Sequence, residues 1–226
     1  MKKIIITLFL GGHIVLIPDD LDEDVYPDCC WSYIGKKDYL KPNTYLQDAI
    51  DDLNSGSERR NLNNAVRNAK SALHMRVDIL CRAFCGDDYF QKNLKNFPKK
   101  MDFLEGIGIV RPRIIDKINK IRNEIEHEYR DATLEEAEDF IDIVLLFMEA
   151  TRYLNSRFPC EADFYVLAVS NEVYLRKIVC NWEGGELIFY YSKQESHRLD
   201  NVETYSIKVG DYRYALWVKF ILDHCD

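Results

Sequence analysis

From about residue 43 to about residue 157, apolar residues in this chain recur every three or four positions. From Phe158-Pro159 onward they fall instead in short β-branched and aromatic runs. A single change of period means that one part must bury helical stripes and the other a pleated face. The expected class is therefore α+β: an all-α helical bundle followed by a small antiparallel β-sheet region with a terminal helix as an option. The expected divisions are 1–42, an N-terminal hairpin and loop; 43–157, the helical bundle; and 158–226, a C-terminal α+β region.

The helical part reads in segments. Tyr45, Leu46, Ile50 and Leu53 predict a short helix stopped by Asn54-Ser-Gly56. Leu62, Val66, Ala69, Leu73, Arg76, Leu80 and Ala83 predict a long one from about Ser57 to Cys85, ended by Gly86. Residues 86–110 read as a connection carrying a short helix at Lys99 to Glu105. Pro112 stands at a plausible first helical position, and Ile114, Ile118, Ile121 and Ile125 trace one apolar stripe after it. Thr133-Leu-Glu-Glu136 is a capping box, followed by the stripe Ala137, Ile141, Val144, Leu145 and Met148.

In the second part, Phe164 to Val169, Val173 to Val179, Leu187 to Tyr191 and Thr204 to Val209 read as strands. Trp182-Glu-Gly-Gly185 reads as one of the turns between them. Tyr212 to Asp223 lacks clean alternation, which favours a final helix capped by Asp211 over a fifth strand. The acidic lead from Pro18 to Pro42 reads as a loop that adds Trp31 and Tyr33 to a packing surface. Before it, Met1 to Pro18 imitates a secretory signal, yet Gly11-Gly12 and His13 interrupt the run, so a β-hairpin with its turn there is the better account. Its strands could join the C-terminal sheet.

The formal net charge of −8 hides a segregation. Residues 1–54 carry 5 basic and 10 acidic groups, residues 55–130 carry 16 and 10, and residues 131–226 carry 9 and 18. The basic stretch can hold a phosphate although the whole is acidic; it can equally be a solvated helix face. Seven cysteines, an odd number without a CxxC pair, favour reduced thiols and a cytoplasmic setting. No membrane span stands out.

Within the basic stretch lies Arg122-Asn-Glu-Ile-Glu-His127-Glu-Tyr129. A guanidinium can grip a phosphate through two donors while an imidazole moves protons near pH 7. At about 100° per residue, with Arg122 at zero, Tyr129 falls near −20°, Glu126 near 40°, Asn123 near 100° and His127 near 140°. Arg122 and His127 thus do not stack on one face, and a phosphate would lie across the helix or a second subunit would complete the site. The alternative is local pairing: Arg122 with Glu126, Asn123 and His127 in hydrogen bonds, Tyr129 at the core edge.

This motif, with the isoleucine-rich run before it and Thr-Leu-Glu-Glu-Ala-Glu after it, resembles the HEPN superfamily, whose helical domains carry Arg-x4-6-His. The resemblance covers about residues 43–157 and leaves both ends unaccounted for. It implies a four- or five-helix bundle that forms a homodimer in which two motifs meet. It further implies a metal-independent endoribonuclease, without cofactor, of the kind found among toxins and defence effectors. His127 would then activate the 2′-hydroxyl or protonate the leaving 5′-oxygen, Arg122 would stabilise the phosphorane, and Asn123 would orient the pair. RNA would end in a 2′,3′-cyclic phosphate. In toxin members with a nucleotidyltransferase antitoxin, the tyrosine matching Tyr129 receives AMP. Other domains similar to this family are noncatalytic modules that bind a protein or nucleotide. Glu124, Glu126 and Glu128 crowd the motif with negative charge, to be offset by Lys120, Arg130 and the basic second helix.

Elsewhere the signals are weaker. Cys81 and Cys85 share a helix face, but no histidine has zinc-finger spacing to them, so no metal site is expected. Cys29-Cys30 reads as a packed or incidental pair rather than a redox centre. Gly106-x-Gly108 and Gly184-Gly185 read as turns. Tyr190, Tyr191, Tyr205, Tyr212 and Tyr214 could stack bases, though cross-strand packing explains them more simply.

Overall fold

A computed structural model describes residues 17–21, 25–34, 40–109, 130–170, 173–193 and 202–225. It is a mixed α+β structure. The helices are α1 (Leu40–Asn54), α2 (Arg59–Asn93), α3 (Phe97–Gly106), α4 (Leu134–Ala150) and α5 (Tyr212–His224). The strands are β1 (Asp28–Ser32), β2 (Phe158–Ser170), β3 (Val173–Asn181), β4 (Glu186–Ser192) and β5 (Glu203–Lys208). They form one antiparallel sheet in the order β1-β2-β3-β4-β5.

Local chemistry starts the helices where the spacing predicts. Thr133 and Glu136 form the complete capping box that opens α4. Asp211 caps α5 by accepting from the Arg213 backbone N–H at 3.0 Å, so the last segment is a helix. In α3, Asn96 accepts from Lys99 and Pro98 sits in the first turn, where a missing donor costs nothing. Residues 1–16 of the expected N-terminal hairpin, the helix after Pro112 and the loop around His197 lie outside the described residues.

Two elements exceed what the spacing predicts. α2 runs on beyond Gly86, whose φ of 70° and ψ of 161° break it into two helical pieces. β2 begins at Phe158 rather than Phe164, and its first half pairs with β1, a strand where a loop was expected. Trp31 packs against the core, whereas Tyr33 is exposed. Cys29 and Cys225 form a disulfide with a Cα–Cα distance of 5.6 Å. The expectation of reduced thiols therefore fails for this pair.

α5 covers the sheet, with Trp217 edge-on to Phe189 at 5.1 Å and Phe220 stacked with Phe164 at 6.3 Å. The helical and sheet parts meet where α2 breaks. Phe84 packs edge-on to Phe158 and Trp182 at 4.8 and 5.2 Å, and the Tyr214 hydroxyl donates to the Phe84 carbonyl. There the backbone of the β3–β4 turn lies against that of α2: a Cβ on Gly185 would come 2.6 Å from the Cys85 carbonyl oxygen. Among the described residues no helix is long and apolar enough to cross a membrane.

Candidate functional site

The four residues singled out by sequence, Arg122, Asn123, His127 and Tyr129, lie outside the described residues. The chain on either side of them is well anchored. Ile109 is buried, and its N–H donates to the Leu104 carbonyl at 2.9 Å. At the other side, Arg130 donates from both terminal nitrogens to the two Glu136 oxygens, each at 2.8 Å. Hydrogen bonding from Arg130 holds the Glu136 carboxyl below the ordinary glutamate range. Asn63 of α2 grips the next residues, donating to Asp131 and accepting from the Ala132 N–H, both at 2.9 Å. Residues 130–133 thus tie the first turn of α4 to the first turns of α2.

Among the described residues, Arg130 pairs with Glu136. A larger group of cations lies on α2. Between Arg59 and Val77 the helix carries Arg59, Arg60, Arg67, Lys70 and Arg76 without one aspartate or glutamate. Arg59, Arg60, Arg67 and Lys70 fall within an arc of about 100° and a length of about 16 Å. Arg60 and Arg67 are exposed and make no ion pair among the described residues. Arg59 only approaches Asp131, at 3.8 Å between exposed groups. The exposed face of α4 has the opposite sign, with Glu135, Glu138, Asp139, Asp142 and Glu149. A row of guanidinium groups on one side of a bundle can hold a phosphodiester backbone, because neutralising phosphates releases condensed counterions.

A well-defined cleft lies elsewhere, at the junction of the α2 break, β1 and the β3–β4 turn, with a volume of about 710 Å³. Phe158, Trp182 and Ile79 line it with Arg82, Cys160 and Cys180. Arg82 is spent on Asp87 and on the Phe90 ring, 4.0 Å below its guanidinium. Burial raises the Cys160 and Cys180 thiols, which keeps them protonated and poor nucleophiles. Cys81 is also raised by burial, and Cys85 is pushed up to about 12. Among the described residues no group of His, Cys, Asp and Glu could hold a metal ion.

The sheet tyrosines do not share a platform. Tyr191 and Tyr214 are buried, Tyr190 and Tyr205 half-buried and Tyr212 exposed. Phe189 stacks with Tyr191 at 6.3 Å and lies tilted to Tyr205 at 6.5 Å, which is cross-strand and same-face packing.

Sequence reasoning missed two arginines. Arg76 was visible as a member of the buried stripe, but its partners Thr151 and Asn155 lie on a distant segment. Arg176 sits in β3 where Leu175 and Lys177 pair with the adjacent residues Tyr191 and Tyr190, so that it is the extra residue of a bulge. It is 4% exposed, and its Nε and Nη1 have no hydrogen-bond partner among the described residues. No pattern of single residues announces a bulge.

No protein-family model, curated protein or solved structure matches the chain.

Proposed function

We propose that this protein is a metal-independent endoribonuclease of HEPN type that works as a homodimer, in a toxin or defence role. The observation that carries the reading is the acid-free basic row of α2, whose first turns hold residues 130–133 immediately after the motif. RNA would be drawn to that row by its phosphates, and the motif would do the chemistry.

In that chemistry the 2′-hydroxyl loses its proton to an imidazole and its oxygen attacks phosphorus. The P–O5′ bond breaks, and the 5′-oxygen takes up a proton from an imidazolium, leaving a 2′,3′-cyclic phosphate and a free 5′-hydroxyl. His127 serves as the base, and the partner copy's histidine or the same one serves as the acid. Arg122 stabilises the charge that builds on the phosphorane, and Asn123 orients the pair. Tyr129 is the point at which a nucleotidyltransferase antitoxin would attach AMP and silence the enzyme.

The second reading is a noncatalytic module that binds a protein or nucleotide partner. The 710 Å³ cleft, with its aromatic floor, favours it. Incubating the purified chain with total RNA and isolated tRNA in EDTA decides between the two. Cleavage that leaves cyclic phosphates and disappears in both His127→Ala and Arg122→Ala supports the enzyme. Intact RNA beside a folded dimer supports the module.

A further inference from the structure

Arg76 is 1% exposed and stands among α1, α4 and the turn that follows α4. Its Nε donates to Thr151 Oγ1 at 2.9 Å, its Nη1 to Asn155 Oδ1 at 2.7 Å and its Nη2 to the Thr151 carbonyl. Every one of these acceptors is neutral, and among the described residues no carboxylate pairs with it. Burial alone lowers its pKa, to about 10, which leaves it charged at neutral pH. Thr151 ends α4, and a helix C-terminus offers only about half a negative charge. A buried cation of this kind is costly unless something balances it.

The guanidinium opens onto a cavity of about 460 Å³. Leu46, Ile50 and Met148 form an apolar wall, while Asn43, Gln47 and Asn155 supply polar atoms. Arg152 stands at the exposed mouth, held by Glu149 at 3.1 Å. The mouth pair is neutral as a whole, so the uncompensated positive charge is at the floor. Two of the five guanidinium N–H groups of Arg76 remain after its three bonds.

We propose that this cavity is a binding site for a small organic phosphate. The phosphate meets Arg76 and Arg152, and the organic part lies along Leu46, Ile50 and Met148. A monoester fits better than a bare ion because the wall opposite the charge is apolar, and better than a long polyanion because the cavity is closed at its floor. The proposal does not depend on the ribonuclease reading.

The test is calorimetric titration of the full chain with phenyl phosphate, beside inorganic phosphate and phenol. Saturable one-to-one binding of phenyl phosphate is expected with a Kd below about 1 mM, with inorganic phosphate weaker and phenol silent. Arg152→Ala and the mouth-filling Gln47→Trp should each weaken it about tenfold or more. Arg76→Gln should abolish it. Both mouth positions are exposed, so those two variants decide the matter even where Arg76→Gln fails to fold. Unsaturable heats, equal binding of phenol, or an unchanged Kd in Gln47→Trp would overturn the site.

Discussion

Arg130 and Glu136 are joined through both terminal nitrogens and both carboxylate oxygens, and the same carboxylate accepts from the Thr133 N–H at 3.0 Å. One side chain thus closes the capping box of α4 and fixes the residue just after the motif.

Glu136→Gln should remove one half of the bidentate pairing and cost about 1 kcal/mol, since the pair is partly exposed. Its folded pKa is lowered, so the stability it adds is complete above the unfolded value of about 4.3 and is lost as the pH falls through the lower folded value. Acid titration of unfolding should show a flatter acid limb in the variant.

Arg60→Glu and Arg67→Glu test the basic row without touching the motif. Each should weaken RNA binding and flatten the dependence of log K on log salt, by about 0.7 for every phosphate of a single strand that is no longer neutralised. Binding measured across a salt series checks this, and an unchanged slope would remove α2 from the interface.

Arg176→Met keeps volume and deletes two buried donors that have no partner among the described residues. It should leave the protein as stable or raise stability by about 1–4 kcal/mol, read as a higher urea midpoint with unchanged slope. A drop of several kcal/mol would mean that the guanidinium has a counter-ion.

Gly86→Ala should cost more than about 3 kcal/mol. Its φ and ψ of 70° and 161° belong to a region open almost only to glycine, and a Cβ there would collide with the Glu183 carbonyl oxygen. Gly106→Ala, with nothing within 4 Å of the added carbon, is the matched control and should be near neutral or stabilising.

Thiol titration of the denatured, unreduced protein should count five groups, namely Cys30, Cys81, Cys85, Cys160 and Cys180, and seven after reduction. Cys225→Ser should lower stability by about 2–5 kcal/mol under oxidising conditions and little under reducing ones.

What could be read from sequence was what adjacent residues decide. The Thr133–Glu136 box, the Asp211 cap and the Gly86 break each act within four residues, and each is found where the spacing put it. β1 was missed because Asp28-Cys-Cys-Trp-Ser32 has no alternation of its own; pairing with β2 makes it a strand. The start of β2 was hidden by Pro159, Glu161 and Asp163, which suit a bulged strand near an edge and little else. Of the charged groups, Arg76 was legible as a buried position, but the neutrality of its acceptors depends on residues 75 and 79 positions away. The motif residues themselves rest on the sequence alone.

The bond between Cys29 and Cys225 spans a sequence separation of 196, so nearly the whole chain is a covalent ring. A protease that cuts once between those two residues opens the ring and frees nothing. Two cuts are needed before any piece can leave, and a nicked molecule keeps its full mass until a reductant is added.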